Sequence, residues 1–401
     1  MDKPFFPPPL IDTLQLNPLE RLRVYDSLMI DAERWQKAHD YHRQRQNVYY
    51  QALNQPGIVH GLGVRNTEPP QEVAAQFRLQ PWLKIQPGVA IDWEGNPIIV
   101  PQTVDFPLRL PDTNENSFEA IDLFLVASYR DPENLKRKNT EDVIQETFRL
   151  DQKTTVPTKG EVELCRIKWQ PGTNRVSIPQ NVLAPSFNEL DLRYRLTAKN
   201  RTQATLNISV KDTHNSRSQE NLSCLMASVH SLYSHFEGAP ELNQIILRSI
   251  DTLKTCDLFF ILSQEVAKLD RQEIAVLKQY LAMGGVVVFE VSRGENINSV
   301  GDLVAQKLEF DPSIWQKDLA RKHPLRTEPF LFALLPEIDR CPIEVWHNDG
   351  GIILVEGELS SAWGFDEDLL LSRSEVRAAH EFGINMLYFG WRRRSLKQLL
   401  S

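Results

Sequence analysis

Residues 257–291 constrain the fold more than any other stretch of the chain. Asp257–Leu262 and Val286–Val291 are short, nearly continuous apolar runs, as strands of a parallel sheet covered on both faces require. Between them, Asp270 with Glu273 three residues later forms a capping-box start. Ile274, Leu277 and Leu281 then share one helical face, and Gly284-Gly285 ends the helix. Strand, helix and strand in this order make a β-α-β unit, the building block of an α/β domain.

The same alternation extends on both sides. Thr205–Val210 reads as a strand, and Asn221–Phe236 as a helix with Leu222, Leu225, Val229, Leu232 and Phe236 inward. Strands at Ile343–Trp346 and Gly351–Val355 and a helix at Ser374–Met386 complete an α/β domain over 204–401. Upstream the pattern differs. Short β segments at Val59–Val64, Gln76–Leu79, Trp82–Gln86, Val89–Asp92 and Pro97–Val100 alternate with Gly, Pro and Asn turns. Asp92–Pro97 reads as a hairpin turn with Gly95 at positive φ. Longer strands follow at Ala120–Ser128, Ile144–Leu150 and Val162–Trp169, with a charged loop over Arg130–Asp142. A long helix precedes them, from Pro18 to Asn54, with Leu22, Tyr25, Met29, Ala32 and Trp35 on one face.

The expected fold class is therefore α+β followed by α/β. A helix and mostly antiparallel β domain spans 18–185, a linker 186–203, and the α/β domain 204–401. Residues 1–17 form a Pro-rich extended arm, in which Phe5, Phe6 and Leu10 sit among Pro4, Pro7, Pro8 and Pro9.

With 401 residues there is length for two domains. A net charge of −8 argues against a nucleic-acid partner, which needs a concentrated basic surface. No run reaches the roughly 20 apolar residues of a bilayer span, and the start of the chain lacks the pattern of a signal peptide. The expected location is the cytoplasm. Cys165, Cys224, Cys256 and Cys341 are scattered, which predicts free thiols rather than a disulfide or zinc framework.

Chemistry is weakly signalled. Ser292-Arg293-Gly294 follows the strand where an α/β fold presents its ligand site, but it lacks the flanking glycines of a nucleophile elbow. His347-Asn348-Asp349-Gly350-Gly351 pairs a histidine with a carboxylate, yet its composition is that of a tight turn. Asp366, Glu367 and Asp368 favour a helix N-terminus over acid–base work. Nothing matches GxGxxG, GxxxxGK[ST], HExxH or GxSxG. No catalytic residue, metal ligand or cofactor is expected. Trp391-Arg392-Arg393-Arg394-Ser395-Leu396-Lys397 is the one concentrated basic element; it reads first as a solvated tail, and otherwise as a cap on the last helix carbonyls or a contact for an acidic partner or anionic lipid.

Two stretches resemble known families. Pro56–Val64, containing His60-Gly61-Leu62-Gly63-Val64, followed by Ile85–Ile98, containing Pro87-Gly88-Val89-Ala90-Ile91-Asp92, resembles baseplate-associated proteins of contractile injection systems, which are phage-tail-like particles. Asp40-Tyr41-His42 and Glu161–Ile167 occur in the family's order. Residues 204–395 resemble a domain of unknown function related to the class I glutamine-amidotransferase-like fold. The matching runs are Asp257–Leu262, Leu277–Leu281, Gly284–Val288, His323-Pro324-Leu325, Trp363 and Phe382–Tyr388. Where an amidotransferase carries its elbow cysteine, this chain has Ser292-Arg293.

These resemblances imply a non-catalytic baseplate or baseplate-extension subunit, present in several copies of a symmetric particle and contacting other baseplate proteins. Relatives occur both free and docked on an inner membrane, plasma or thylakoid, so peripheral membrane contact is part of the expectation. Phe5, Phe6, Arg392, Arg393 and Arg394 are the expected partner contacts. The alternatives are an enzyme or small-ligand sensor using the amidotransferase-like domain, and, fitting less well, a carbohydrate-binding fibre.

Overall fold

The computed structural model describes residues 18–74, 78–111, 120–131, 145–170, 175–211, 216–292, 294–364 and 371–400. The chain combines helix and sheet in two compact units, Met1–Arg201 and Thr202–Ser401.

In the first unit, among the described residues, helix α1 (Ala32–Leu53) is followed by nine strands of three main sheets, besides the short pair Asn54–Gln55 and Lys199–Asn200. These are β1 (Gly57–Gly61), β2 (Val64–Thr67), β3 (Trp82–Ile85), β4 (Gly88–Ile91), β5 (Pro97–Val100), β6 (Val104–Pro107), β7 (Ile121–Arg130), β8 (Thr147–Lys153) and β9 (Glu161–Trp169). They form three antiparallel three-stranded sheets, ordered β1-β4-β5, β2-β3-β6 and β9-β7-β8. Inward residues of these sheets, among them Leu62, Leu83, Ile85, Ile98, Leu123, Leu125, Leu164 and Ile167, make one core.

The long helix starts later than its periodicity predicts. Asp31 is the N-cap, its carboxylate accepting from Arg34 N–H at 2.9 Å, and residues 18–31 are not helical. Leu22, Tyr25 and Met29 fall at helical spacing, but nothing in the described structure packs on Tyr25 or Met29 to reward a helix there, whereas Asp31 offers a cap. Of the strand expected at Gln76–Leu79, residues 75–77 lie outside the described residues and 78–79 form a turn. Most of the loop expected over Arg130–Asp142 also lies outside them.

Residues 186–201 are not a free linker. They close the first unit: Arg166 and Asp191 exchange two backbone hydrogen bonds (2.9 and 2.8 Å), and Ile58 N–H donates to Leu196 O at 2.7 Å. Lys199–Asn200 then pairs antiparallel with Asn54–Gln55. The alternating charges that suggested a linker belong to a segment in which Leu190 and Asp191 are buried.

The second unit is built on a six-stranded sheet of β10 (Ile208–Lys211), β11 (Asn243–Ile245), β12 (Leu258–Leu262), β13 (Val286–Glu290), β14 (Glu344–His347) and β15 (Ile352–Glu356). The order is β11-β10-β12-β13-β15-β14, parallel throughout except for antiparallel β14. Alternate side chains of each strand face opposite cores. Phe260, Val288 and Ile353 meet α2 (Ser216–Leu232) and α5 (Arg373–Leu399) through Leu225, Val229, Phe382 and Met386. Phe259, Val287, Phe289 and Leu354 meet α3 (Arg271–Ala282) and α4 (Ile297–Leu308) through Leu277, Tyr280 and Val304. The capping box of α3 is present, with Glu273 N–H bonded to Asp270 at 2.8 Å and Asp270 N–H to Glu273 at 3.0 Å. Helix α5, expected to end near Met386, continues to Leu399, so the basic run is helical rather than a tail.

Candidate functional site

The two stretches that carry the baseplate resemblance are hydrogen-bonded neighbours. In the β1–β4 pair, His60 faces Val89 and Gly61 faces Gly88. The glycines are required by proximity. A Cβ on Gly61, where φ is +69°, would lie 2.1 Å from Pro87 O, and one on Gly88 would lie 2.3 Å from His60 O. The chain then turns through Leu62, a fully buried residue at φ 55°. Arg195 fixes this turn by donating to Leu62 O (2.7 Å) and Gly61 O (2.9 Å). The Asp92 turn closes as its composition predicts, with the buried carboxylate accepting from Glu94 N–H (2.9 Å) and Asn96 N–H (2.8 Å). Arg195 is the residue that sequence reasoning missed; it sits in the stretch read as a linker.

Around this frame the first unit presents apolar side chains to water. Helix α1 buries none of its residues. Met29 is 81% exposed, Val24 76% and Trp35 57%, and Tyr25, Ile30, Tyr49 and Leu53 are exposed as well. Of the residues expected on one helical face, Leu22 is half-buried, while Tyr25, Met29, Ala32 and Trp35 are exposed. Scattered surface leucines need no explanation, but here large apolar side chains recur together over 24–35. The polar side of α1 binds its own unit: the side-chain amides of Asn47 and Asn96 meet at 2.8 Å, and Arg43 pairs with Asp131 at 2.8 Å.

In the second unit, the strand order reverses between β10 and β12, and ligands of such sheets sit at the carboxyl ends flanking that point. There Lys211 pairs with Glu273 at 3.0 Å, and a small cleft is lined by Gln219, Leu262 and Glu265. Ser292 lies one strand further. Its N–H donates to Ser263 Oγ at 2.8 Å, the two hydroxyl oxygens are 3.0 Å apart, and Ser263 also bonds the Glu295 carboxylate. A serine nucleophile needs a base to take its proton. Here the hydroxyl group is engaged in a serine–carboxylate cluster that ties two loops together. Arg293 and Asp366, Glu367 and Asp368 lie outside the described residues. Phe5 and Phe6 also lie outside them.

Glu290, at the end of β13, is fully enclosed, and burial pushes its carboxyl up to about 7 against the opposing bonds from Ser360. Ser360 N–H donates to it at 2.7 Å and the Ser360 hydroxyl group bonds its other oxygen. His347 is buried beside His323, with ring centroids 4.3 Å apart, and burial pushes His323 down to about 4. The segment after His347 is the expected turn, Asn348 Oδ1 accepting from Gly350 N–H (3.1 Å) and Ile352 N–H (2.8 Å). Among the described residues, no three His, Cys, Asp or Glu side chains gather to hold a metal. Cys165 and Cys256 are buried, which raises their thiols to about 12 and about 11 and keeps them unreactive; Cys341 is exposed.

The three arginines expected to meet a partner are clamps within their own unit. Arg394 binds buried Asp257 through Nε at 2.9 Å and donates to Lys254 O at 2.9 Å. Arg393 donates to Gly285 O (2.8 Å) and Gly350 O (3.0 Å), satisfying carbonyls beyond the end of α3 and in the β14–β15 turn. Arg392 pairs with Glu328. Local charge density suggested a solvated tail; the acceptors that bind it lie 43 to 140 residues away in sequence and leave no trace in the local pattern.

No family model matches the chain, and no curated protein matches it. Among solved structures, the chain is similar to one described as "Crystal structure of TssK", at 11% identity and a TM-score of 0.26, over 37% of this chain and 38% of that one. A likeness this slight and partial carries no argument about function. No helix among the described residues is long and apolar enough to cross a membrane.

Proposed function

We propose that this chain is a structural, non-catalytic subunit of the baseplate, or of a baseplate extension, in a contractile injection system. It docks on neighbouring subunits through its first unit and is present in several copies. The observation that carries the reading is the outward-facing apolar set from Val24 to Trp35, continued by α1, which buries none of its residues. Burial of apolar area stabilises contacts by roughly 25 cal/mol per Å², so such a surface gains most inside a particle. The β1–β4 register adds support, because it makes one structural element of the two stretches that resemble baseplate proteins. Intact particles isolated from the host should contain this chain together with sheath and tube proteins. Its recovery solely as a free monomer would contradict the reading.

A second reading, an amidotransferase-like enzyme or small-ligand sensor, draws on the doubly wound order of the second unit and its reversal beside Lys211. A glutaminase or esterase activity of the pure protein, abolished by Ser292→Ala, would favour it. The serine–carboxylate bonding of Ser292 weighs against that outcome.

A further inference from the structure

The first unit also carries a shallow, largely apolar surface groove. Trp93 from the β4–β5 turn, Pro157 from the β8–β9 turn, Pro56 at the entry to β1 and Tyr194 from the closing segment form its walls. Its floor is rigid. The Arg166 guanidinium lies 3.7 Å from the centroid of the Tyr194 ring and 4.7 Å from that of Phe124. It donates to both carboxylate oxygens of Glu163, at 3.0 and 3.1 Å. Glu163 pairs with Arg166, and Glu161, also in the lining, pairs with Lys153 at 2.7 Å, so the charged groups of the groove are partnered and its aromatic and proline surface remains.

Grooves of this chemistry suit polyproline II segments, which present proline rings as ridges and need no backbone partners. The chain's own Pro4-Phe5-Phe6-Pro7-Pro8-Pro9-Leu10 has that chemistry. Its reach is also fixed by the structure. Glu20 is held at Lys37 of α1 by an ion pair of 2.7 Å. From Lys37 to Gln51 the helix advances about 21 Å at 1.5 Å per residue. Gln51 Nε2 donates to Glu94 O, next to Trp93, at 2.5 Å. From Glu20 back to Leu10 the chain spans up to about 33 Å when extended. A strand of that length, laid back along α1, arrives at Trp93 with residues to spare.

We propose that this groove seats residues 4–10 of the same chain. The seat converts an apolar, proline-locked segment, which cannot join a helix or a central strand, into part of the unit's own surface. It is independent of whether the protein belongs to a particle, since it concerns one chain alone.

The test uses the full-length protein with p-benzoylphenylalanine in place of Phe6, photolysed and mapped by mass spectrometry. Cross-links to Trp93, to 156–166 or to 194–196 are expected. They should be lost in Tyr194→Ala and in a variant with Pro7→Gly, Pro8→Gly and Pro9→Gly, which leaves every residue of the groove unchanged. Cross-links elsewhere in the chain, or links that persist in the triple-glycine variant, would overturn the proposal. Mixing isotope-labelled and unlabelled protein before photolysis separates links within a chain from links between chains. Mixed-label products would assign the groove to the arm of a second copy, and so overturn the seat proposed here.

Discussion

Asp257 is fully buried at the head of β12, and burial raises its carboxyl to about 6 even with Arg394 pulling the other way. Removing one partner of such a pair strands the other without solvent. Arg394→Ala should therefore cost about 3–5 kcal/mol of folding stability, read from urea unfolding of the second unit. A cost near that of an ordinary surface change, about 0.5 kcal/mol, would show that Arg394 is exposed after all. Glu290 gives a prediction in pH. Its folded value of about 7 lies above the unfolded 4.5, so in that window the folded protein holds a proton that the unfolded chain has released. Stability from this group is thus present at low pH and lost as pH rises toward 7. Glu290→Gln should remove that loss, so the variant should gain on the parent between pH 5 and pH 8. An unchanged difference across that range would mean that Glu290 ionises as an ordinary carboxylate.

Helix α5 shows how elements were legible and where they were not. Its capping box at Ser372 and Glu375 and the apolar positions Phe382 and Met386 follow local rules and can be read from sequence. Its last turns cannot, because what holds Arg393 and Arg394 in helix is the acceptors on β12 and on the turns around β13 and β15. Gly390 lies where this helix comes closest to the sheet, and a Cβ there would stand 2.3 Å from Asp257 O. Backbone cannot swing aside as a side chain can. Gly390→Ala should cost on the order of 1–3 kcal/mol, measured as a lowered unfolding midpoint; full tolerance would place the helix farther from β12. The β-α-β run was legible in its cap, glycine stop and apolar strands, which agree there, although Val276 and Tyr280, rather than Ile274 and Leu281, are the buried apolar residues beside Leu277. At the start of α1 they disagree: periodicity favours residues 22–29, while the cap sits at Asp31. The cap won because, among the described residues, no core lies beneath Tyr25 and Met29.

At the scale of the whole chain, each unit has its own core: among the described residues one hydrophobic cluster lies in the first unit and two lie in the second. A fragment comprising 202–401 should therefore fold alone with cooperative unfolding; a molten fragment would show that its core depends on the first unit. The two motifs of the baseplate resemblance were legible because glycines are fixed by close backbone approach. The outward apolar face was not, since the same apolar spacing that suggests a buried face also describes a face left exposed. The central claim is that this outward face is an assembly surface, and the double variant Met29→Asp, Trp35→Asp tests it most directly. Both side chains are mostly exposed, so the isolated protein should keep its stability within about 0.5 kcal/mol per substitution. Incorporation into sheath- and tube-containing particles, measured by co-sedimentation from cells expressing the variant, should be lost. Normal incorporation of a stably folded double variant would contradict the account.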